Sequence, residues 1–264
     1  MYAGTSSFFN IGPAFRYYLF CLPKRRQKRI AAAIGRSTSA FYLFSAFVTR
    51  AMPLSLYDML NTLIENIDVK NILGLQLPTD PRWVNLAEMQ LEEILTDHAY
   101  CEQKAATTCI TLIQKNSEKE LLVEELSPIV TEEWGHFRQV LAELKKRNLV
   151  LGRQRKDVYV NELLRFIIKG GSRDQHFLDQ MLIMALIEAR SCERFKRLSE
   201  GLDDEYMRKF YRKFMESEAG HYTLFINLAE HYLPKEIVRK RWKEWLVFEK
   251  DLINSVEVRG DRIH

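Results

Sequence analysis

Two stretches of this sequence have the residue types and spacing to do chemistry together: Glu133-Trp-Gly-His136 and Glu218-Ala-Gly-His221. Residues three apart share a helix face, so each stretch sets a carboxylate and an imidazole side by side, one turn apart. Each is preceded by a further glutamate at matched distance. Glu102 stands 31 residues before Glu133, and Glu188 stands 30 before Glu218. Any one of these residues alone would read better as part of a solvated face or a helix-surface ion pair. Together they lie on apolar stripes, where an isolated charge is strongly unfavourable unless it is paired or bound to metal.

Two helices giving one Glu each and two giving Glu-x-x-His is the recurring ligand pattern of di-iron and di-manganese carboxylate bundles. Four carboxylates and two imidazoles suit two divalent cations of moderate hardness, bridged by glutamates and with positions left open for oxygen. Iron is the first choice and manganese the second, and sulfur-rich metal chemistry is disfavoured. The expected ligands, which are also the expected catalytic residues, are Glu102, Glu133, His136, Glu188, Glu218 and His221. His98 shares the stripe of Glu102 and reads as a satisfied core histidine rather than a seventh ligand. Asp97 and Glu193 fit either groups that orient a ligand or surface positions.

The elements that must position these residues are amphipathic helices. Leu91, Leu95, His98, Glu102, Ala105, Cys109 and Leu112 advance by fours and threes, as do Leu122, Leu126, Ile129, Glu133, His136, Val140 and Leu144. Phe177, Met181, Met184, Glu188, Ser191 and Phe195 repeat the pattern, and so do Tyr211, Phe214, Glu218, His221, Phe225 and Leu228. Such steps are the period of a bundle seam. They predict four long helices over about 84–116, 119–148, 174–200 and 203–232. Short connections make the first two and the last two antiparallel hairpins. Roughly 25 residues separate the second helix from the third, holding Gly152, a crossover helix near 157–169 and Gly170-Gly171. One long crossover between two hairpins is ferritin-like topology, so the predicted fold is an all-α ferritin-like four-helix bundle with extra N- and C-terminal helices. Those extra helices are placed at about 55–67, before the Pro78-Thr-Asp-Pro81 turn, and about 235–256, after Pro234, packing outside the bundle.

Composition agrees with helix. Only 11 Gly and 7 Pro occur in 264 residues, too few for the many tight turns of an all-β fold. The formal net charge of +4 comes from an acid-free leader, since eight Lys and Arg and no Asp or Glu occur in residues 1–51. Residues 52–264 carry 31 basic against 35 acidic residues, a net −4, which excludes a uniformly basic nucleic-acid binder. The leader fits an organelle transit peptide, sequence upstream of a true start at Met52, or a basic arm touching membrane or RNA. Its apolar run over 40–48 is too short to span a bilayer. The domain reading is therefore a leader over 1–51 and a helical bundle over 52–264. Cys21, Cys101, Cys109 and Cys192 form no Cys-x-x-Cys pair, which points to reduced thiols and makes zinc-site and disulfide readings weak.

Four segments carry a family resemblance: Asp97-His-Ala-Tyr-Cys-Glu-Gln-Lys-Ala-Ala106, Glu132-Glu-Trp-Gly-His136, Ile187-Glu-Ala-Arg-Ser-Cys-Glu-Arg-Phe195 and Ser217-Glu-Ala-Gly-His-Tyr222. The chain resembles the bacterial tRNA hydroxylases that act on 2-methylthio-isopentenyl-adenosine next to the anticodon, over roughly residues 60–255. The Glu-Ala-Arg-Ser-Cys-Glu-Arg-Phe octet is the most specific signal. Family members often carry a second His directly after the ligand His of the second helix, where this chain has Phe137. The resemblance implies an oxygen-dependent non-haem di-iron monooxygenase that hydroxylates the isopentenyl side chain, with the same six ligands.

It also implies two iron ions, O2 as co-substrate, the tRNA anticodon loop as substrate and an external electron donor such as a ferredoxin or reductase, because the sequence has no flavin or nicotinamide fingerprint. A cytoplasmic protein is expected, organellar if 1–51 is a transit peptide, with no stable membrane insertion, as a monomer or small homo-oligomer. Candidate phosphate contacts are Lys145, Lys146, Arg147, Arg153, Arg155 and Lys156, and a second set of Arg194, Lys196, Arg197, Arg208, Lys209, Arg212 and Lys213. Cations at a helix C-terminus also complement its dipole, which gives the first set an alternative explanation. The rival functions are iron oxidation or peroxide scavenging of the ferritin or rubrerythrin kind, and a membrane-lying di-iron quinone hydroxylase.

Overall fold

A computed structural model describes residues 73–264, and the expectations for the leader over 1–51, the boundary at 52 and the helix at 55–67 lie outside them. The described residues form seven helices and no strands: α1 (Trp83–Met89), α2 (Leu91–Lys115), α3 (Glu120–Lys146), α4 (Val158–Arg165), α5 (Arg173–Gly201), α6 (Glu205–Tyr232) and α7 (Lys235–Ser255). The helices α2 and α3 form one hairpin and α5 and α6 the other, joined by the long crossover that holds α4.

Boundaries follow local chemistry. The α5 start is a capping box, with the Ser172 side chain accepting from Gln175 N–H and the Gln175 side chain accepting from Ser172 N–H. Asp204 caps α6 and Asp157 caps α4 with side-chain carboxylates. The α3 end turns through Asn148 at φ 58°, the left-handed conformation a terminating residue adopts. Pro128 sits inside α3 without ending it.

One expected helix is two. The predicted span 84–116 breaks at Gln90 (φ −124°, ψ 41°), whose N–H bonds to Ala87 O. The separate α1 buries Trp83 and Ala87, and the C-terminal tail passes close beside it. A Cβ on Gly260 would stand 2.2 Å from the Leu86 carbonyl carbon, so only glycine fits this approach. The crossover helix is also shorter than expected, ending at Arg165.

The core consists of two apolar clusters with the ligand-type residues between them. Ile94, Leu95, Phe137, Val140, Phe195, Tyr211 and Phe214 belong to one. Cys109, Leu112, Leu122, Leu126, Met181, Phe225 and Leu228 belong to the other. On α2, α3 and α6 the glutamate stripe position falls where one cluster hands over to the next, so the acidic residues form a polar layer across an apolar bundle.

Outside the bundle, α7 docks on α5 through buried polar groups. Arg190 and Glu249, both fully buried, are 2.6 Å apart, and Arg190 also donates to Leu77 O. Asp179 accepts from Trp245 Nε1 at 2.9 Å and from Arg241 at 2.7 Å. Buried charges persist only when each has partners of this kind. No helix among the described residues is long and apolar enough to cross a membrane.

Candidate metal centre

All six expected ligands are buried and converge in the polar layer. Their donor atoms fall into two groups, each with all atoms within 4.8 Å of one another: Glu102, Glu133, His136 and Glu218 in one, and Glu133, Glu188, Glu218 and His221 in the other. Glu133 and Glu218 belong to both. The two Glu-x-x-His motifs therefore supply the shared carboxylates, and each group adds one glutamate from a single-Glu helix and one histidine.

The histidines present Nδ1 to the carboxylates. His136 Nδ1 lies 3.3 Å from Glu102 Oε2 and 3.6 Å from Glu133 Oε2. His221 Nδ1 lies 2.7 Å from Glu133 Oε1 and 3.2 Å from Glu218 Oε2. Their Nε2 atoms face a residue that spacing did not single out. Glu132 places Oε2 3.5 Å from His221 Nε2 and Oε1 3.9 Å from His136 Nε2, and accepts from Ser217 Oγ at 2.6 Å. His221 holds Glu132 at about 2, against partial burial, and Ser217 adds to the effect. A carboxylate behind both imidazoles fixes ring orientation and raises ligand basicity. Its sequence signals were its place directly before Glu133 and at the head of the Glu132-Glu-Trp-Gly-His136 segment.

The site is built for positive charge. Burial pushes Glu102 and Glu188 well above the usual carboxylate range, with Glu133 and Glu218 respectively adding to the effect. Burial works the same way on Glu133, yet His136 and His221 pull it below that range. Against the burial penalty, Glu102 and Glu133 raise His136 to about 10. Protons thus gather on a donor set crowded with carboxylates, as expected where cations belong. Glu133 Oε1 and His136 Nδ1, which face the layer, are buried with no aligned hydrogen-bond partner, close as some of their neighbours are. An all-oxygen-and-nitrogen set with orphaned donors fits two hard-to-borderline divalent cations.

Outside the six expected ligands the structure corrects several residue expectations. His98 is a core residue, walled by Phe195, Tyr211, Phe214 and Phe210, but it is not satisfied. Its Nε2 is 2.7 Å from Glu102 Oε1 out of hydrogen-bond alignment, and neither ring nitrogen has an aligned partner. Asp97 and Glu193 are neither ligand-orienting nor on the surface. Asp97 is buried and accepts from Ile263 N at 2.8 Å, while Glu193 is buried between Thr79, Arg190 and Arg197. Arg194 leaves the set of phosphate contacts, since it is buried, stacks on Trp83 and donates to the carbonyls of Arg262 and Ile263. Arg147 and Arg155 are engaged as well, with Glu143 and Asp204, and with Glu93 and Asp261. Phe137 is buried in the apolar cluster against Trp134.

Comparison with known proteins gives the same picture. A solved structure, Protein 43 with aldehyde deformylating oxygenase activity from Synechococcus, superposes with a TM-score of 0.68 at 36% identity, covering 72% of this chain and 94% of that one. The tRNA 2-(methylsulfanyl)-N(6)-isopentenyladenosine(37) hydroxylase of Pseudomonas putida is 36% identical over 194 residues, 74% of this chain and 91% of that protein. The enzyme of the same name from Salmonella typhimurium is 27% identical, covering 72% of this chain and 87% of that protein. A family model described as tRNA-(MS[2]IO[6]A)-hydroxylase (MiaE) matches residues 66–264, and with the bundle and its six converging side chains the chain belongs to that family.

Proposed function

We propose that this chain hydroxylates the isopentenyl group of 2-methylthio-isopentenyl-adenosine next to the anticodon of tRNA, using O2 and two iron ions. The observation that carries the reading is the pair of four-residue groups sharing Glu133 and Glu218, within a chain of this family. In this reading Glu133 and Glu218, which belong to both groups, would hold the two irons together with Glu102 and His136 on one side and Glu188 and His221 on the other. Iron held there supplies the oxygen activation that C–H hydroxylation needs.

The residues around it do the rest. Glu132 orients His136 and His221 from outside the ligand layer, and Phe195, Phe214 and Tyr211 wall its inner side against water. Trp134 lies between two ligands in sequence and is 47% exposed, with its ring 4.9 Å from Phe137. We assign it as a stacking surface for an unstacked anticodon-loop base, the usual mode of single-stranded RNA recognition. Lys145, Arg153, Lys156, Arg212 and Lys213 are exposed and free to meet phosphate. Electrons come from a separate ferredoxin or reductase, in the cytoplasm where tRNA is modified.

Nucleoside analysis of tRNA from a strain lacking this gene tests the reading. The unhydroxylated isopentenyl nucleoside should accumulate and disappear on complementation. An unchanged modification profile would overturn the reading and favour iron oxidation or quinone hydroxylation.

A further inference from the structure

We propose that Cys101, Asp157 and His264 form a separate site for a single zinc-type divalent cation, pinning the C-terminal tail to the bundle. One donor atom from each lies within 4.8 Å of the other two, and none of the three residues belongs to either group of the di-iron layer. Cys101 Sγ is 3.7 Å from His264 Nδ1. A tetrahedral zinc with bonds of roughly 2.3 Å to sulfur and 2.0–2.1 Å to nitrogen sets those two atoms about 3.6 Å apart.

The surroundings are those of a held ligand set. The other ring nitrogen of His264, Nε2, is 2.8 Å from Ser191 Oγ, so Ser191 fixes the ring while Nδ1 turns to Cys101. The imidazole stacks on Tyr159 at 5.4 Å with 19° between the planes. The backbone leading to it is clamped, with Ile263 N donating to Asp97 Oδ2 and Arg194 Nη1 donating to Ile263 O, both at 2.8 Å. Asp157 is fixed by its capping role, accepting from Val160 N at 3.0 Å.

Thiolate, imidazole and carboxylate together select zinc-like ions over magnesium or calcium, which avoid sulfur. Binding forms one bond each to sulfur, nitrogen and oxygen, and releases the thiol proton to solvent. Three protein ligands leave the fourth position to water. The ammonium of Lys104 is the present counter-ion of Asp157, and its one-third-exposed side chain can share or leave the carboxylate as the cation enters.

Cobalt(II) is the probe, added to the iron-loaded full chain. One equivalent should give a near-ultraviolet thiolate-to-cobalt charge-transfer band, and metal analysis should find one ion beyond the iron. Cys101→Ser, nearly isosteric, should abolish the band and the extra equivalent while iron content stays at the wild-type value; His264→Ala should weaken binding at least tenfold. A wild-type chain that takes up no cobalt with this band overturns the site. A band that persists unchanged in Cys101→Ser also overturns it, and assigns the signal to another thiol such as Cys109 or Cys192. Because the readouts are stoichiometry and spectrum, they stand or fall apart from tRNA hydroxylation.

Discussion

His221 Nδ1 on α6 lies 2.7 Å from Glu133 Oε1 on α3, nearer than the 3.2 Å to Glu218 Oε2 of its own motif, so the α6 imidazole reaches across to the opposite hairpin as well as back to its own helix. Glu133 is in both groups of donor atoms, whereas Glu102 is in one. Glu133→Ala should therefore drop iron from close to two per chain to near none, and Glu102→Ala to about one. Metal analysis of folded, purified variants checks this. Equal loss in both would refute the role of Glu133 as a ligand shared by both groups, and a metal-free wild type of normal stability would sink the di-iron reading.

Glu132 lies behind both imidazoles, its carboxylate oxygens 3.5 Å from His221 Nε2 and 3.9 Å from His136 Nε2. Glu132→Gln keeps the shape and removes the charge. Loss of an outer carboxylate behind a ligating histidine costs about 10–100-fold in metal affinity or activity. Iron dissociation under a chelator should accelerate by that order, with helical content unchanged. Wild-type retention would reduce Glu132 to a surface residue.

Gly135 sits mid-helix, and a Cβ there would meet nothing within 4 Å. Neither packing nor a positive φ requires glycine at this position. Gly135→Ala should stabilise the metal-free chain by ~0.5–1 kcal/mol, the helix-propensity difference. Denaturant unfolding measures it, and a destabilised variant would mean that the backbone here needs freedom for another reason.

Arg190 and Glu249 are a fully buried pair. Arg190→Met alone strands the Glu249 carboxylate and should cost about 3–5 kcal/mol, while replacing both by apolar residues should recover most of the loss. The comparison of single and double variants in urea is the measurement. Additive losses would show that the pair is not coupled.

Trp134→Ala should leave iron content intact and raise KM for tRNA about tenfold, since stacking on an aromatic ring contributes ~1–3 kcal/mol per base. An unchanged KM would move the anticodon loop to another face.

Helix period is a local property of the chain, and the sequence determined whatever depends on it. Steps of three and four residues placed Glu102, Glu133, His136, Glu188, Glu218 and His221 on inward stripes, and the long gap between the two hairpins specified the crossover. Contacts between residues distant in the chain depend instead on how helices cross and where the tail runs, and no spacing rule encodes these. Only the tertiary structure decided that Glu133 and Glu218 are the shared carboxylates and that Glu132 backs both histidines. It also turned Arg194 inward, because the tail carbonyls need donors there, and left His98 unsatisfied in an aromatic box. Cys101 and His264 are 163 positions apart. Four cysteines without a paired motif gave no hint of a metal site, and the fold set one of them beside an imidazole and a carboxylate where the tail buries Ile263 and bonds to Asp97 on α2.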